Sequence, residues 1–219
     1  YFTIFCTFAR EAKISVWSLC LMIDHIHTLI ESDNLIPMSE FISRVTSVFV
    51  RVYNKYRGRK GPLFEKRFGS APTSDIKKLI SSIIYVGNNP VEKLLCRRAR
   101  EYRWNFLAYF NNDNPFSEKY VASKASRHLR NAIKEASELA KLNLPLRYCH
   151  LKRMMSKLSK RERGIFIDKV IVSYLPFDYE QLVSYYESYE NMLTAMDSNT
   201  GSEHDIKESN DKSSHIVFQ

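Results

Sequence analysis

The chain has 219 residues, 44% of them apolar, which is enough for one sizeable domain or one domain with an appendage. Thirty-three Lys and Arg against 24 Asp and Glu give a formal charge of +9, so a polyanion is the expected partner, with nucleic acid first. Cys6, Cys20, Cys96 and Cys149 lack metal-ribbon spacing and the apolar runs are too short to cross a bilayer, which argues against a disulfide framework, a zinc ribbon and a membrane span, and for a cytoplasmic protein.

In chain order, residues from Phe2 to about Ala12 read as a short buried helix. Lys13 to Leu21 is rich in β-branched and apolar residues and reads as a strand, which Met22-Ile23-Asp24 interrupts before His25 to Ile30 resumes. A hairpin with histidines near its turn is predicted. Side chains two apart leave a strand on the same face, so His25 and His27 share one face, and paired imidazoles are metal ligands by type. Such a His-x-His pair is also common as a hydrogen-bonded pair in a sheet.

Ser39 is predicted to cap a helix whose apolar stripe is Phe41, Val45, Val48, Phe49, Val52 and Tyr56. Arg44, Arg51 and Lys55 lie off that stripe, and Arg57, Arg59 and Lys60 follow on a glycine-bearing loop suited to a phosphate chain. Leu63 to Phe68, with Lys66 and Arg67, reads as a short strand or ordered loop. The span Arg44 to Arg103 holds 15 basic against 4 acidic residues, whereas Tyr174 to Gln219 holds 2 against 9. That asymmetry favours a binding surface over an ordinary solvated one.

Ser74 is predicted to cap the next helix, with Ile76, Leu79, Ile80, Ile83 and Ile84 as its buried stripe. At about 100° per residue Tyr85 falls opposite that stripe, together with Lys78, Ser81 and Asn89, so Tyr85 is expected to face outward. Pro90 is expected to end the helix near Gly87 and Asn88. Arg97, Arg98, Arg100 and Arg103 then interleave with Tyr102, Trp104 and Tyr109, a mixture that suits unstacked single strands as well as an aromatic core edge with a basic rim. From Ser117 onward the chain reads as helical: Val121 to Leu142, a capping box at Ser159 to Glu162, and a helix capped by Asp178. Two short helices between Arg147 and Val172 also fit a helix-turn-helix. Asp197 to Gln219 is polar and acidic, and is expected to be poorly ordered.

Leu21-Met22-Ile23-Asp24-His25-Ile26-His27, Asn54, the Gly61 to Phe68 segment and Tyr85-Val86-Gly87-Asn88-Asn89-Pro90-Val91 together resemble the IS200-like transposases. Tyr102-Arg103-Trp104 fits the branch of REP-associated tyrosine transposases, and the likeness covers roughly residues 1–110. The resemblance implies an α+β, ferredoxin-like domain whose antiparallel sheet carries the histidines and whose later helix carries a nucleophile. It implies residues 1–112 as the catalytic domain, 113–196 as a helical extension and 197–219 as an acidic tail. The chain opens on Tyr and the first core strand is expected to be missing before Phe2.

By position, the resemblance makes Tyr85 the nucleophile and His25, His27 and Asn89 ligands of a divalent ion, magnesium or manganese. The implied reaction is cleavage and transfer of single-stranded or hairpin DNA through a 5′-phosphotyrosine. The expected DNA contacts are Arg44, Arg51, Lys55, Arg57, Arg59, Lys60, Lys66, Arg67, Lys78, Arg97, Arg98 and Arg100. The expected setting is the nucleoid in the cytoplasm, with a homodimer left open. The alternative is a domesticated or inactive protein of the same fold that binds DNA hairpins. Gly87 and Asp24 depart from the family, where His and Asn are usual.

Overall fold

The computed structural model describes residues 1–64, 69–70, 73, 75–198 and 217–218. The elements run α1 (Phe2–Glu11), β1 (Ser15–Leu21), β2 (Ile26–Glu31), α2 (Leu35–Arg57), β3 (Gly69–Ser70) and α3 (Ile76–Glu92). Three 3₁₀ turns follow (Ala99–Glu101, Arg103–Asn105, Leu107–Tyr109), then α4 (Arg127–Lys141), α5 (Tyr148–Met155), α6 (Lys160–Tyr174), α7 (Tyr179–Ser184), α8 (Tyr189–Ser198) and β4 (Val217–Phe218). The class is α+β. The elements form two compact units: residues 1–14, 32–62 and 111–176 make one, and residues 15–31, 63–110 and 177–219 the other.

The first unit is helical. Every residue of α1 from Phe2 to Ala9 is buried, so this helix is central and not amphipathic, with Phe5 meeting Phe41 of α2 edge to face at 5.2 Å. Helix α2 begins earlier than the sequence predicts. Asn34, not Ser39, caps it by accepting the Ile36 amide proton at 3.1 Å, and Pro37 is tolerated because first-turn amides have no partner within the helix. Its end is fixed by Gly58 at φ +62°, a left-handed cap that glycine adopts without strain. Asn54 then donates its amide proton to the Gly61 carbonyl at 2.7 Å, which pins the basic loop back onto the helix.

Helix α4 starts at Arg127, capped by Ser126, and not at Val121. Ala132, Ala136 and Ala140 line its buried face at four-residue spacing, so small side chains face α6. Ser159 and Glu162 form the predicted capping box at the start of α6. Near the middle of α6, the fully buried Asp168 carboxylate accepts from Ser117 Oγ at 2.8 Å and the Phe116 amide at 3.2 Å. Asp168→Ala would strand both donors, and chemical denaturation should show a loss of about 1–3 kcal/mol. Asp168→Asn, which keeps an acceptor, should lose less.

The second unit holds the sheet, in the order β1-β2-β4-β3. The β1–β2 hairpin is antiparallel, pairing Leu21 with Ile26 and Cys20 with His27, and the short β4 pairs parallel with both β2 and β3. The segment predicted as a strand between Leu63 and Phe68 falls partly outside the described residues, as does Ser74. Asp75 caps α3, accepting from the Lys78 amide at 2.9 Å.

Helix α3 differs from expectation at its other end, running through Pro90 to Glu92. A proline forfeits one backbone hydrogen bond and crowds the turn before it. The burial of every residue from Tyr85 to Pro90 offsets that cost. The single helix predicted after Asp178 is split into α7 and α8, with Glu187 at φ +66° between them. Leu182, Met192, Leu193 and Met196 from these helices, with Tyr186 from the segment between them, pack with Ile83 of α3 and Leu29 of β2. Asp197 belongs to α8 and accepts the Ala99 amide proton at 2.8 Å, whereas 199–216 of the predicted tail lie outside the described residues.

Candidate active site

The four residues that the resemblance singles out, His25, His27, Tyr85 and Asn89, all lie in the second unit. The turn at Met22 to His25 closes with the Met22 amide donating to the His25 carbonyl at 2.9 Å, so His25 stands just before β2 while His27 lies within it. Their rings meet edge to face with centroids 4.7 Å apart. His27 is fully buried and its other neighbour is Tyr85 of α3, at 5.4 Å between centroids and again edge to face. The three rings form a continuous series from turn to strand to helix.

Tyr85 is 1% exposed, in contrast to the outward position that helical periodicity predicts. The physical reason is that α3 is covered on two sides. Ile83 faces the α7 and α8 layer, while Tyr85 and Val86 pack against Cys20 of β1, with Met22 and Tyr102 at the margin. A helical wheel detects one apolar stripe, and here the second buried face carries Ser82, Tyr85, Asn88 and Asn89. Only the first turns keep the expected exposure, with Lys78 and Ser81 in solvent.

Asn89 follows Tyr85 by four residues, one turn along the same face. It is fully buried, and among the described residues neither its amide nitrogen nor its oxygen has a hydrogen-bond partner. An unmatched buried carboxamide is costly, and this one lies one helical turn from Tyr85. Asn88, also buried, has an unmatched carbonyl oxygen of its own. No group of three or more His, Cys, Asp or Glu residues is arranged for a metal among the described residues. A site built on the imidazole pair therefore needs a ligand of another type, and a carboxamide oxygen is one.

The sequence does not show how Asp24 works. The His25 Nδ1–H donates to Asp24 Oδ1 at 2.7 Å, and the Asp24 side chain is 84% exposed. A carboxylate on Nδ1 fixes the ring orientation and leaves Nε2 as the lone-pair nitrogen. The signal was an acidic residue directly before the His pair. Tyr102 has a structural part: its hydroxyl donates to the Leu21 carbonyl at 2.8 Å. Burial, followed by the Cys20 and Cys96 thiols, pushes its pKa up to about 12, so it stays protonated at neutral pH. Gly87 is explained by α8, since a Cβ there would lie 2.6 Å from Met196 Sδ.

The basic residues are divided between the units. Arg51, Lys55, Arg57, Arg59 and Lys60 are exposed at the end of α2 and beyond it, in the first unit. Arg44, in the same helix, is engaged locally: it pairs with Glu11 at 2.5 Å and its guanidinium lies 4.0 Å from the centre of the Phe8 ring. In the second unit, Arg97, Arg98 and Arg100 are exposed, and the Arg97 and Arg98 amides both donate to the Glu101 carboxylate at 3.2 Å. Lys66 and Arg67 lie outside the described residues. No helix among the described residues is long and apolar enough to cross a membrane.

No curated protein and no solved structure matches the chain. A family match covers the N-terminal part and ends on Asn89, so His25, His27, Tyr85 and Asn89 all lie within it while Arg97, Arg98 and Arg100 do not. Residues 1–89 match the family described as Transposase IS200 like, which is what this part of the chain is similar to.

Proposed function

We propose that the protein cleaves and rejoins single-stranded or hairpin DNA, with Tyr85 as nucleophile and His25, His27 and Asn89 holding a divalent ion, magnesium or manganese. The observation that carries this reading is the series His25, His27, Tyr85, in ring contact across three elements, with the unmatched buried Asn89 carboxamide one turn away. Two imidazoles and a carboxamide oxygen fit such an ion in ligand type. When bound, it would polarise the scissile phosphate and stabilise charge on the phosphate oxygens.

The chain's own part is nucleophilic. The Tyr85 phenolic oxygen bonds to phosphorus while the bond from phosphorus to the 3′ oxygen breaks. The phenolic proton leaves to solvent and the departing 3′ oxygen takes one up. The products are a strand ending in a 3′ hydroxyl and a 5′-phosphotyrosyl ester on Tyr85. Because the ester conserves the phosphodiester, another 3′ hydroxyl can reverse the step and complete strand transfer without a high-energy cofactor. His27 packs against the Tyr85 ring and holds it, while Asp24 orients His25.

The test is incubation with end-labelled hairpin-bearing single-stranded DNA and manganese, followed by denaturing electrophoresis. A labelled band at protein mass is expected. The burial of Tyr85 favours a second reading, a hairpin-binding protein that does not cleave. Under that reading DNA binds, yet no denaturation-resistant adduct forms with any divalent ion. A separate expectation concerns Asp24: Asp24→Ala should weaken manganese binding about 10–100-fold in an isothermal titration. Asp24→Asn keeps an acceptor for His25 Nδ1–H and should restore most of it.

A further inference from the structure

The helical first unit brings together two basic stretches that are far apart in sequence. Between Phe41 and Phe64 there are six Lys or Arg and no Asp or Glu, and between Arg147 and Arg161 there are again six and none. The first stretch ends α2 and the second begins with α5, and the two meet through aromatic side chains. Tyr56 of α2 and Tyr148 of α5 have ring centroids 4.5 Å apart, tilted by 60°. Both rings remain in water, at 40% and 49% exposure. Beside them, the Arg57 and Arg59 guanidinium groups lie 5.7 and 6.0 Å from the centre of the Tyr53 ring.

Two adjoining aromatic rings are costly to leave in water, and although Arg44, Arg153 and Arg161 pair with Glu11, Glu135 and Glu118, no acidic residue lies within either stretch. Arg57, Arg59, Arg147 and Lys152 make no ion pair among the described residues. Unpaired cations flanking exposed rings match a single nucleic-acid strand, whose phosphates meet the cations and whose unstacked bases offer π-faces to the tyrosines. A duplex keeps its bases stacked inside and would use the cations alone.

We propose that the end of α2 and helix α5 form a binding surface for single-stranded DNA, with Tyr56 and Tyr148 stacking on bases and Arg57, Arg59, Arg147 and Lys152 contacting phosphates. The surface gives the helices after residue 111 a binding role, and it does not depend on Tyr85 chemistry. The test is fluorescence anisotropy of the full chain with a labelled thymidine 20-mer in EDTA, so that binding is read without cleavage. Failure of the adduct experiment leaves this result untouched.

Tyr148→Ala should weaken binding about tenfold, and Tyr148→Phe should bind as the parent does, because the ring and not the hydroxyl stacks. Arg147→Gln with Lys152→Gln should lower the slope of log affinity against log salt by about 1.4 in total, about 0.7 for each phosphate that the protein no longer neutralises on a single strand. A strand of the same length made of abasic residues should bind the parent more weakly and should be insensitive to Tyr148→Ala. Circular dichroism of each variant reports folding, and the parent strand-to-abasic comparison needs no variant at all. The proposal is overturned if the abasic strand binds the parent equally well, if a folded Tyr148→Ala binds as the parent does, or if Tyr148→Ala weakens binding to duplex as much as to the single strand.

Discussion

Tyr85→Phe should abolish the covalent protein–DNA adduct, lowering its rate of formation by on the order of 10⁴-fold or more. The substitution removes one oxygen and keeps the ring that packs against His27 and Cys20. The fold should therefore persist, and thermal unfolding of the two proteins should nearly coincide. Because the side chain is 1% exposed, attack on a phosphate also requires the ring to gain access to the strand. Rapid-quench kinetics on the parent protein should then show a lag or slow phase before adduct appears, on the timescale of a local helix or loop movement. An adduct that survives Tyr85→Phe would place the nucleophile on another residue.

His27→Gln should weaken manganese binding by at least about a hundredfold, read directly by the free-ion signal in electron paramagnetic resonance, with adduct formation falling in parallel. His27 stands at the centre of the series: it pairs with Cys20 across the hairpin and its ring touches both His25 and Tyr85. Glutamine approximates its volume and leaves a polar group at the position, so the change tests the imidazole and not merely the packing. His25→Gln should show a smaller structural effect, since the His25 side chain is 21% exposed at the turn. Unchanged manganese affinity in both variants would remove the histidines from the metal assignment.

The hairpin was legible because β-branched and apolar residues mark β1 and β2, and the interruption at Met22 to Asp24 is the turn that joins them. The His pair was legible for the same reason, since cross-strand order fixes where the rings go. The burial of Tyr85 was not legible. Its covering partners, Cys20, Met22 and Tyr102, lie on other elements, and the face they bury carries polar groups that a wheel assigns to solvent. Polar residues buried against the pattern are where sequence rules are expected to fail at working sites. Helix α3 also continues past Pro90, because tertiary packing outweighs one missing hydrogen bond. Helix α2 starts at Leu35 behind the Asn34 cap, ahead of the predicted cap at Ser39, and Pro37 fits its first turn, where the missing amide proton has no helical partner to lose. The meeting of Tyr56 with Tyr148 has no local signal at all, since the two residues stand more than ninety positions apart.

The most direct measurement is the location of the phosphotyrosyl ester. Trypsin cuts after Lys78 and Lys93, and the peptide between them contains Tyr85 as its single tyrosine. After reaction with a short single-stranded substrate, nuclease trimming and digestion, mass spectrometry should find a nucleotide mass added to this peptide and fragment ions that place it on Tyr85. A nucleotide on any of the other twelve tyrosines, or an adduct that leaves this peptide unmodified, would contradict the assignment.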